Sequence, residues 1–290
     1  MNVARTIQRL VWRMPAERAI RRMMGQGVPA GLEPALRYLI TETLPVDDRK
    51  VLAPIGGLRS QLLAQQHGSP TVFDSPSPIA PGSIPVPGRP KHVTWHYLAE
   101  KTSVTHYWGV FLYLCAKHLP AQTILELGGA VGMSASYMAA ASPSLRLTTV
   151  EGSTSLAPVA AANLRVMNPS AIVLNAMFDD ALDSLLPRLS APLDIVHIDG
   201  QHETVSTFHY LDRVRPHLHQ NSVVIFDDIH WNADMRHAWN GLCGTSGFSY
   251  CIDVGRYGVC VWGGADSHPE TYSFSRYTSD WRNEDHNLGT

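Results

Sequence analysis

The sequence predicts an α/β fold: a doubly wound, mostly parallel sheet of seven strands with a helical N-terminal extension. Three features predict it. Short apolar runs of strand length recur at Thr123–Leu127, Leu147–Glu151, Ala171–Asn175, Asp194–Asp199 and Ser222–Asp227. Helically patterned stretches near 132–141, 155–167, 181–189, 203–215 and 233–242 separate them, and strands spaced by helices make parallel βαβ units. The alternation then stops, because Phe248–Val254 and Gly258–Trp262 are joined by a short Gly-containing turn and read as a hairpin. One strand at the end of the sheet is therefore antiparallel.

The extension reads as helical over residues 1–70, with breaks near Gly25-Gln26-Gly27 and Pro45. Its start interleaves Arg5, Arg9, Arg13, Arg18, Arg21 and Arg22 with Ile7, Leu10, Val11 and Met14, which share one helical face. Such a start suits a transit peptide or a membrane-surface helix. The preferred reading is a solvated helix docked by its apolar stripe. Residues 69–90 are a Pro/Ser/Gly loop that cannot sustain ladder hydrogen bonds, so they read as a linker or a surface lid. Helical periodicity resumes over 94–119 through Trp95, Leu98, Tyr107, Val110, Leu114 and Leu119. The expected organisation is thus a helical segment 1–90 that shapes specificity or forms a homo-oligomer, a ligand-binding domain 91–265, and a polar tail 266–290. The chain from Gly263 on is expected to be loose or wrapped over the surface.

Composition excludes several classes. Of 290 residues, 44% are hydrophobic and 17% charged, which is neither disordered nor fibrous. With 23 basic and 25 acidic side chains the net charge is −2, so no broad footprint for nucleic acid is expected. No apolar run approaches the roughly 18–20 residues that span a bilayer. Cys115, Cys243, Cys251 and Cys260 show no CxxC pair and no zinc-like spacing. Cys251 and Cys260 face each other if the hairpin turns at Gly255-Arg256, and they read as reduced strand residues. A cytoplasmic protein is expected.

In open α/β sheets, ligands sit beyond the carboxyl ends of the strands. The first strand runs Ile124-Leu125-Glu126-Leu127 into Gly128-Gly129-Ala130-Val131-Gly132. Glycines there let a ligand approach the backbone and let the next helix start close to the strand. The dinucleotide spacing fails at Ala130 and Met133. Glu126 would repel a pyrophosphate but attract an ammonium group, such as the one on S-adenosylmethionine. The second strand ends in Val150-Glu151-Gly152, where a carboxylate is placed to accept both hydroxyls of a ribose.

These residues resemble the S-adenosylmethionine-dependent methyltransferases of the Rossmann-like class. The matching set is Leu125-Glu126-Leu127-Gly128 with Gly132, then Glu151, the Asp194–Asp199 strand and the closing hairpin. The likeness covers roughly residues 100–262, and Gly129 stands where many relatives carry Thr or Ala. It implies a sheet order of 3-2-1-4-5-7-6 with the last-numbered strand antiparallel. It also implies cofactor contacts at Glu126, Gly128, Gly132, Glu151, Gly152 and Asp199. Phe178 and Asp179, in the turn after the third strand, would flank the adenine.

A second constellation lies at His197-Ile198-Asp199-Gly200-Gln201-His202 and Phe226-Asp227-Asp228-Ile229-His230-Trp231. If these two strands are neighbours, Asp199, Asp227 and Asp228 converge, and three carboxylates in one cleft need protons or a cation. Oxygen donors favour a hard ion such as Mg²⁺, with Ca²⁺ or Mn²⁺ as alternatives. The pattern is similar to metal-dependent O-methyltransferases of the catechol type and of bacterial natural-product pathways. The likeness implies the ion at these Asp residues and a general base three residues past the first, which is His202 here. The catechol enzymes carry Lys there. His202 also stands on its own chemistry: methyl transfer requires removal of the acceptor's proton, and an imidazole can take one at neutral pH. His230 is the second candidate, and His197, inside a strand, reads as a core residue.

The expected function is transfer of a methyl group from S-adenosylmethionine to a hydroxyl of a small molecule, assisted by Mg²⁺. A metal-independent enzyme acting on an amine or carboxylate, of a small molecule or a peptide, is the alternative. A non-catalytic nucleoside-binding or scaffold protein is the third reading. Nothing in the sequence names the acceptor.

Overall fold

The computed structural model describes residues 3–73, 83, 85 and 88–278, with side chains described from residue 11 on. Helices α1 (Val3–Gly25), α2 (Glu33–Thr41) and α3 (Val46–Ala64) come first. Strands β1 (Thr71–Phe73) and β2 (Pro90–His92) then bracket the Pro-rich loop, followed by the short turn α4 (Trp95–Tyr97) and helix α5 (His106–His118). The alternating part is β3 (Thr123–Leu127), α6 (Met133–Ala139), β4 (Arg146–Val150), α7 (Ala157–Met167), β5 (Ile172–Leu174) and α8 (Phe178–Leu185). It continues through β6 (Leu193–Ile198), α9 (Thr204–Val214), β7 (Leu218–Phe226), α10 (Ala233–Leu242), β8 (Phe248–Asp253), β9 (Gly258–Trp262) and β10 (Glu270–Ser273).

The main sheet has eight strands in the order β10-β8-β9-β7-β6-β3-β4-β5. From β7 to β5 every pairing is parallel, and β9 runs antiparallel to both β7 and β8. The seven expected strands therefore stand in the expected order. β10 is an addition. Residues 270–273 pair with Tyr250–Asp253 in parallel, so this part of the chain, expected to be loose or a surface wrap, extends the sheet instead. Its polar residues carried no strand signal, because an exposed edge strand buries neither face. The other departure is at the Pro-rich loop, whose ends zip into an antiparallel ribbon with Val72 opposite Lys91. Most of residues 74–87 lies outside the described residues.

Alternation along the strands divides the core between two faces. Ile124, Ile195, Val223 and Ile225 face a layer that includes α5, α6 and the N-terminal helices. Their neighbours Leu125, Leu127, Val196, Val224 and Phe226 face α8, α9 and α10. The extension is joined to the sheet by buried polar contacts as well as apolar ones. Tyr113 Oη, on α5, donates to Asp48 Oδ1 of α3 at 2.6 Å, and Lys117 pairs with the same carboxylate. Arg59 of α3 donates to the carbonyls of Ala99 and Val104. Among the described side chains, α1 docks through Ala16, Ile20 and Met23, all fully buried. Val11 and Met14 are 63% and 66% exposed, while the side chains of Ile7 and Leu10 lie outside those described. Among the described residues no helix is long and apolar enough to cross a membrane.

Candidate active site

A cavity of about 800 Å³ opens at the carboxyl ends of β3 to β7, a volume suited to a small-molecule site. Local backbone geometry draws the walls together. Gly128 has φ +103°, and a Cβ there would stand 1.7 Å from the carbonyl oxygen of Asp199. Only glycine lets the β3 and β6 termini approach so closely. Ala130, Gln201 and Asp228 also have positive φ, at 43°, 51° and 53°. They sit just past β3, β6 and β7, and all three line the cavity. Left-handed residues other than glycine cluster at functional sites because the surrounding fold has to hold them there.

Glu151, just past β4, lines the cavity, and its carboxylate is fixed from two sides. Ala130 N donates to Oε2 and Ser153 N to Oε1, each at 2.7 Å. Burial nevertheless raises this carboxyl above the ordinary Glu value, against the lowering by those two donors. Gly152, Phe178 and Asp179 stand beside it in the wall. Phe178 packs edge-on against Tyr210, and Asp179 Oδ1 accepts from His209 and Arg213, each at 2.7 Å. The roof comes from the extension. Thr71 N donates to Ser155 Oγ at 2.9 Å, which sews β1 to the loop after Glu151, and Val72, Phe73 and Lys91 border the cavity.

Two expected cofactor residues do not reach this wall. Glu126 is fully buried, accepting from Thr149 Oγ1 at 2.6 Å and facing His197 Nδ1 at 3.0 Å. Period-2 alternation turns its side chain into the sheet–helix layer, away from the strand end, so it cannot meet an ammonium group in the cavity. Gly132, with φ +78°, lets α6 start against α7, where a Cβ would stand 2.9 Å from Leu164 Cδ1. Its role is packing. Gly128, Glu151, Gly152, Phe178, Asp179 and Asp199 all line the cavity as expected.

The three carboxylates at the ends of β6 and β7 do converge, and His202 stands with them. His202 Nε2 is 3.7 Å from Asp199 Oδ1 and 3.9 Å from Asp228 Oδ2, with all three side chains half-buried. His230, the second candidate, pairs with Asp253 at 3.1 Å. Sequence reading missed a fourth group. Arg256, from the β8–β9 turn, grips Asp227 with Nε 2.7 Å from Oδ1 and a terminal nitrogen 2.8 Å from Oδ2. Asp228 Oδ1 is 3.7 Å from the same Nε. Burial by itself would raise the Asp227 carboxyl, but Arg256 overrides it and holds the value at about 2. Burial and then the charge of Asp227 push the Asp199 carboxyl well above its ordinary value. Met177, Tyr97, Ser103 and Tyr210 are among the other wall residues that the sequence did not single out.

The donor set therefore differs from the one expected for an ion. Ligand-capable atoms within 4.8 Å of one another belong to His197, Asp199 and Asp227, not to the three Asp residues. Both oxygens of Asp227 are engaged by a guanidinium. His197 supplies nitrogen, which Mg²⁺ disfavours. The expected all-oxygen set of Asp199, Asp227 and Asp228 around Mg²⁺ does not fit this arrangement.

Comparison with known proteins agrees with the geometry. Residues 125–229 match the family model described as Methyltransferase domain (Methyltransf_24). An O-methyltransferase from Bacillus cereus, solved in complex with SAH, superposes with a TM-score of 0.51 at 18% identity, covering 78% of this chain and 96% of that one. The cofactor-bound structure of Rv0187 from MTB superposes with a TM-score of 0.53 at 19% identity, covering 75% and 91%. No protein with a curated description matches the sequence. The fold is that of the class I, Rossmann-like methyltransferases.

Proposed function

We propose that this chain, whose residues 125–229 form a methyltransferase domain, moves a methyl group from S-adenosylmethionine to a hydroxyl oxygen of a small molecule, with His202 as general base. The observation that carries the reading is the shared cavity, which is lined both by Glu151 and by His202, the latter flanked by Asp199 and Asp228. When bound, the cofactor supplies a methyl carbon activated by its sulfonium. Glu151 would accept from the ribose hydroxyls, Phe178 and Asp179 would border the adenine, and the open backbone at Gly128, beside Asp199, would take the methionine end. His202 would accept the proton of the acceptor hydroxyl as that oxygen takes the methyl group, which would leave a methyl ether, the thioether and an imidazolium. Asp199 and Asp228, each within 4 Å of Nε2, would stabilise that imidazolium.

The expected Mg²⁺ at Asp199, Asp227 and Asp228 has no part in this mechanism, because Arg256 engages Asp227. The test is calorimetry with S-adenosylhomocysteine, followed by mass-spectrometric assay of S-adenosylmethionine with phenols, sugars, amines and carboxylic acids. Methylation of hydroxyl acceptors is expected. Transfer only to amines or carboxylates would replace the oxygen reading, and failure to bind S-adenosylhomocysteine would remove the cofactor.

A further inference from the structure

We propose that Arg256 is a built-in cation that takes the place of a divalent ion at the ends of β6 and β7, so that the pocket binds no metal and methyl transfer here is metal-independent. Three independent observations lead there. The first is charge: Asp199, Asp227 and Asp228 bring three carboxylates together at the ends of β6 and β7, and a cluster of that kind needs a positive counterpart. The second is geometry. Arg256 meets both oxygens of Asp227 in a two-pronged pair, with Asp227 1% and Arg256 15% exposed. Planar forked donors matched to a carboxylate make the strongest ion pairs available to a side chain. An ion coordinated by Asp227 would have to displace that fork or share the carboxylate with a full positive charge at hydrogen-bond distance.

The third observation is the group behind the pair. His197 Nε2 is buried and has no hydrogen-bond partner, although its atoms, those of Asp199 and those of Asp227 come within 4.8 Å of one another. Without the guanidinium, those three side chains would offer an imidazole nitrogen and two carboxylates, a donor set that suits Mn²⁺ and similar ions. Arg256 thus stands between this pocket and metal binding. It is locked there by its own backbone, whose carbonyl accepts from Ile229 N at 3.2 Å and ties the β8–β9 turn to the loop after β7. As a positioning residue it holds Asp227 by both oxygens, next to Asp199, which faces His202.

The reaction half of this inference rests on the methyltransferase reading of the pocket, and the metal-binding half does not. The experiment is a Mn²⁺ titration followed by electron paramagnetic resonance. It uses the full chain with S-adenosylhomocysteine, for wild type, R256Q and the double variant D227N/R256Q, with folding checked by circular dichroism. Wild type is expected to take up no stoichiometric Mn²⁺. R256Q should bind one ion per chain with affinity raised about tenfold or more, and D227N/R256Q should lose that gain, since one ligand charge is gone. Wild-type turnover should survive exhaustive EDTA treatment. A wild-type chain that holds one Mn²⁺ displaceable by Mg²⁺ overturns the proposal, as does a folded R256Q with no gain. If R256Q does not fold, the wild-type titration and the EDTA assay decide alone. Absence of any methyl transfer alongside the expected Mn²⁺ results would sink the proposed function and leave the role of Arg256 at the carboxylates intact.

Discussion

Arg256 holds Asp227 by both carboxylate oxygens, at 2.7 and 2.8 Å, and so fastens the turn of the closing hairpin to the end of β7. Asp227→Asn keeps the shape but leaves a nearly buried guanidinium without its counter-charge. The variant should lose about 3 kcal/mol in urea unfolding at pH 7. Its pH dependence follows from the direction of the shift. Arg256 holds the Asp227 carboxyl at about 2, below the ordinary 3.8, so the pair stabilises the fold above pH 4 and loses that effect as pH falls toward 2. The gap between wild type and variant should therefore narrow in acid. A gap that stays constant from pH 7 to pH 2.5 would show that the charge is not what Asp227 contributes.

Glu126→Gln tests the corrected assignment of that residue. Its carboxylate is fully buried against Thr149 and His197, so the substitution should lower stability by about 1–3 kcal/mol. Affinity of the folded protein for S-adenosylhomocysteine should hold within about twofold, because Glu126 does not line the cavity. Calorimetry showing a large loss of affinity at unchanged melting temperature would return Glu126 to the cofactor.

His202→Ala should cut turnover by roughly 10²–10⁴ while cofactor affinity stays nearly constant. Acceptors whose hydroxyl is already acidic should suffer less. Should the variant keep its rate, the base lies elsewhere and His230 is the next residue to replace.

Glu151→Ala removes an acceptor whose two oxygens already take Ala130 N and Ser153 N. Binding of S-adenosylhomocysteine should weaken by about 1–3 kcal/mol. Unaltered affinity in a folded variant would take Glu151 out of the ribose site.

Asp48→Asn should loosen the extension from α5. Burial would raise the Asp48 carboxyl, but Lys117 and Tyr113 outweigh it and bring the value below the ordinary one. Its contribution is thus present above pH 4 and lost as pH falls through the lowered value. Thermal unfolding at pH 7 should show a loss of about 1–2 kcal/mol, since the buried Tyr113 hydroxyl and the partly exposed Lys117 ammonium lose a charged partner. A melting temperature matching wild type at pH 7 would mean that Asp48 does not help to hold α3 against α5.

How much of this was legible depends on the kind of signal each residue leaves. β9 was read at its true bounds, Gly258–Trp262, because a buried strand must be apolar and its turn must hold glycine. β10 was not read, because an edge strand of Glu270–Ser273 owes its pairing to Tyr250–Asp253 rather than to its own composition. At the site, Glu151, Asp199 and His202, read from their place at strand ends, do line the cavity. Glu126, read by the same rule, does not, since being near a strand end says nothing about which face the side chain takes.

By itself the sequence determined the alternating sheet, its order once the family likeness was drawn, and the acidic residues that would crowd one edge of it. Those follow from local periodicity and from the fixed hand and short connections of βαβ units. Only the tertiary structure decided what balances the crowd. Arg256 is twenty-nine residues from Asp227 along the chain, in a hairpin turn with no motif around it. The β8–β9 antiparallel return brings it back over β7. A pairing made by a long-range contact between two charges leaves no periodic trace in one sequence, and it is the pairing that sets whether the carboxylates hold a metal or a guanidinium.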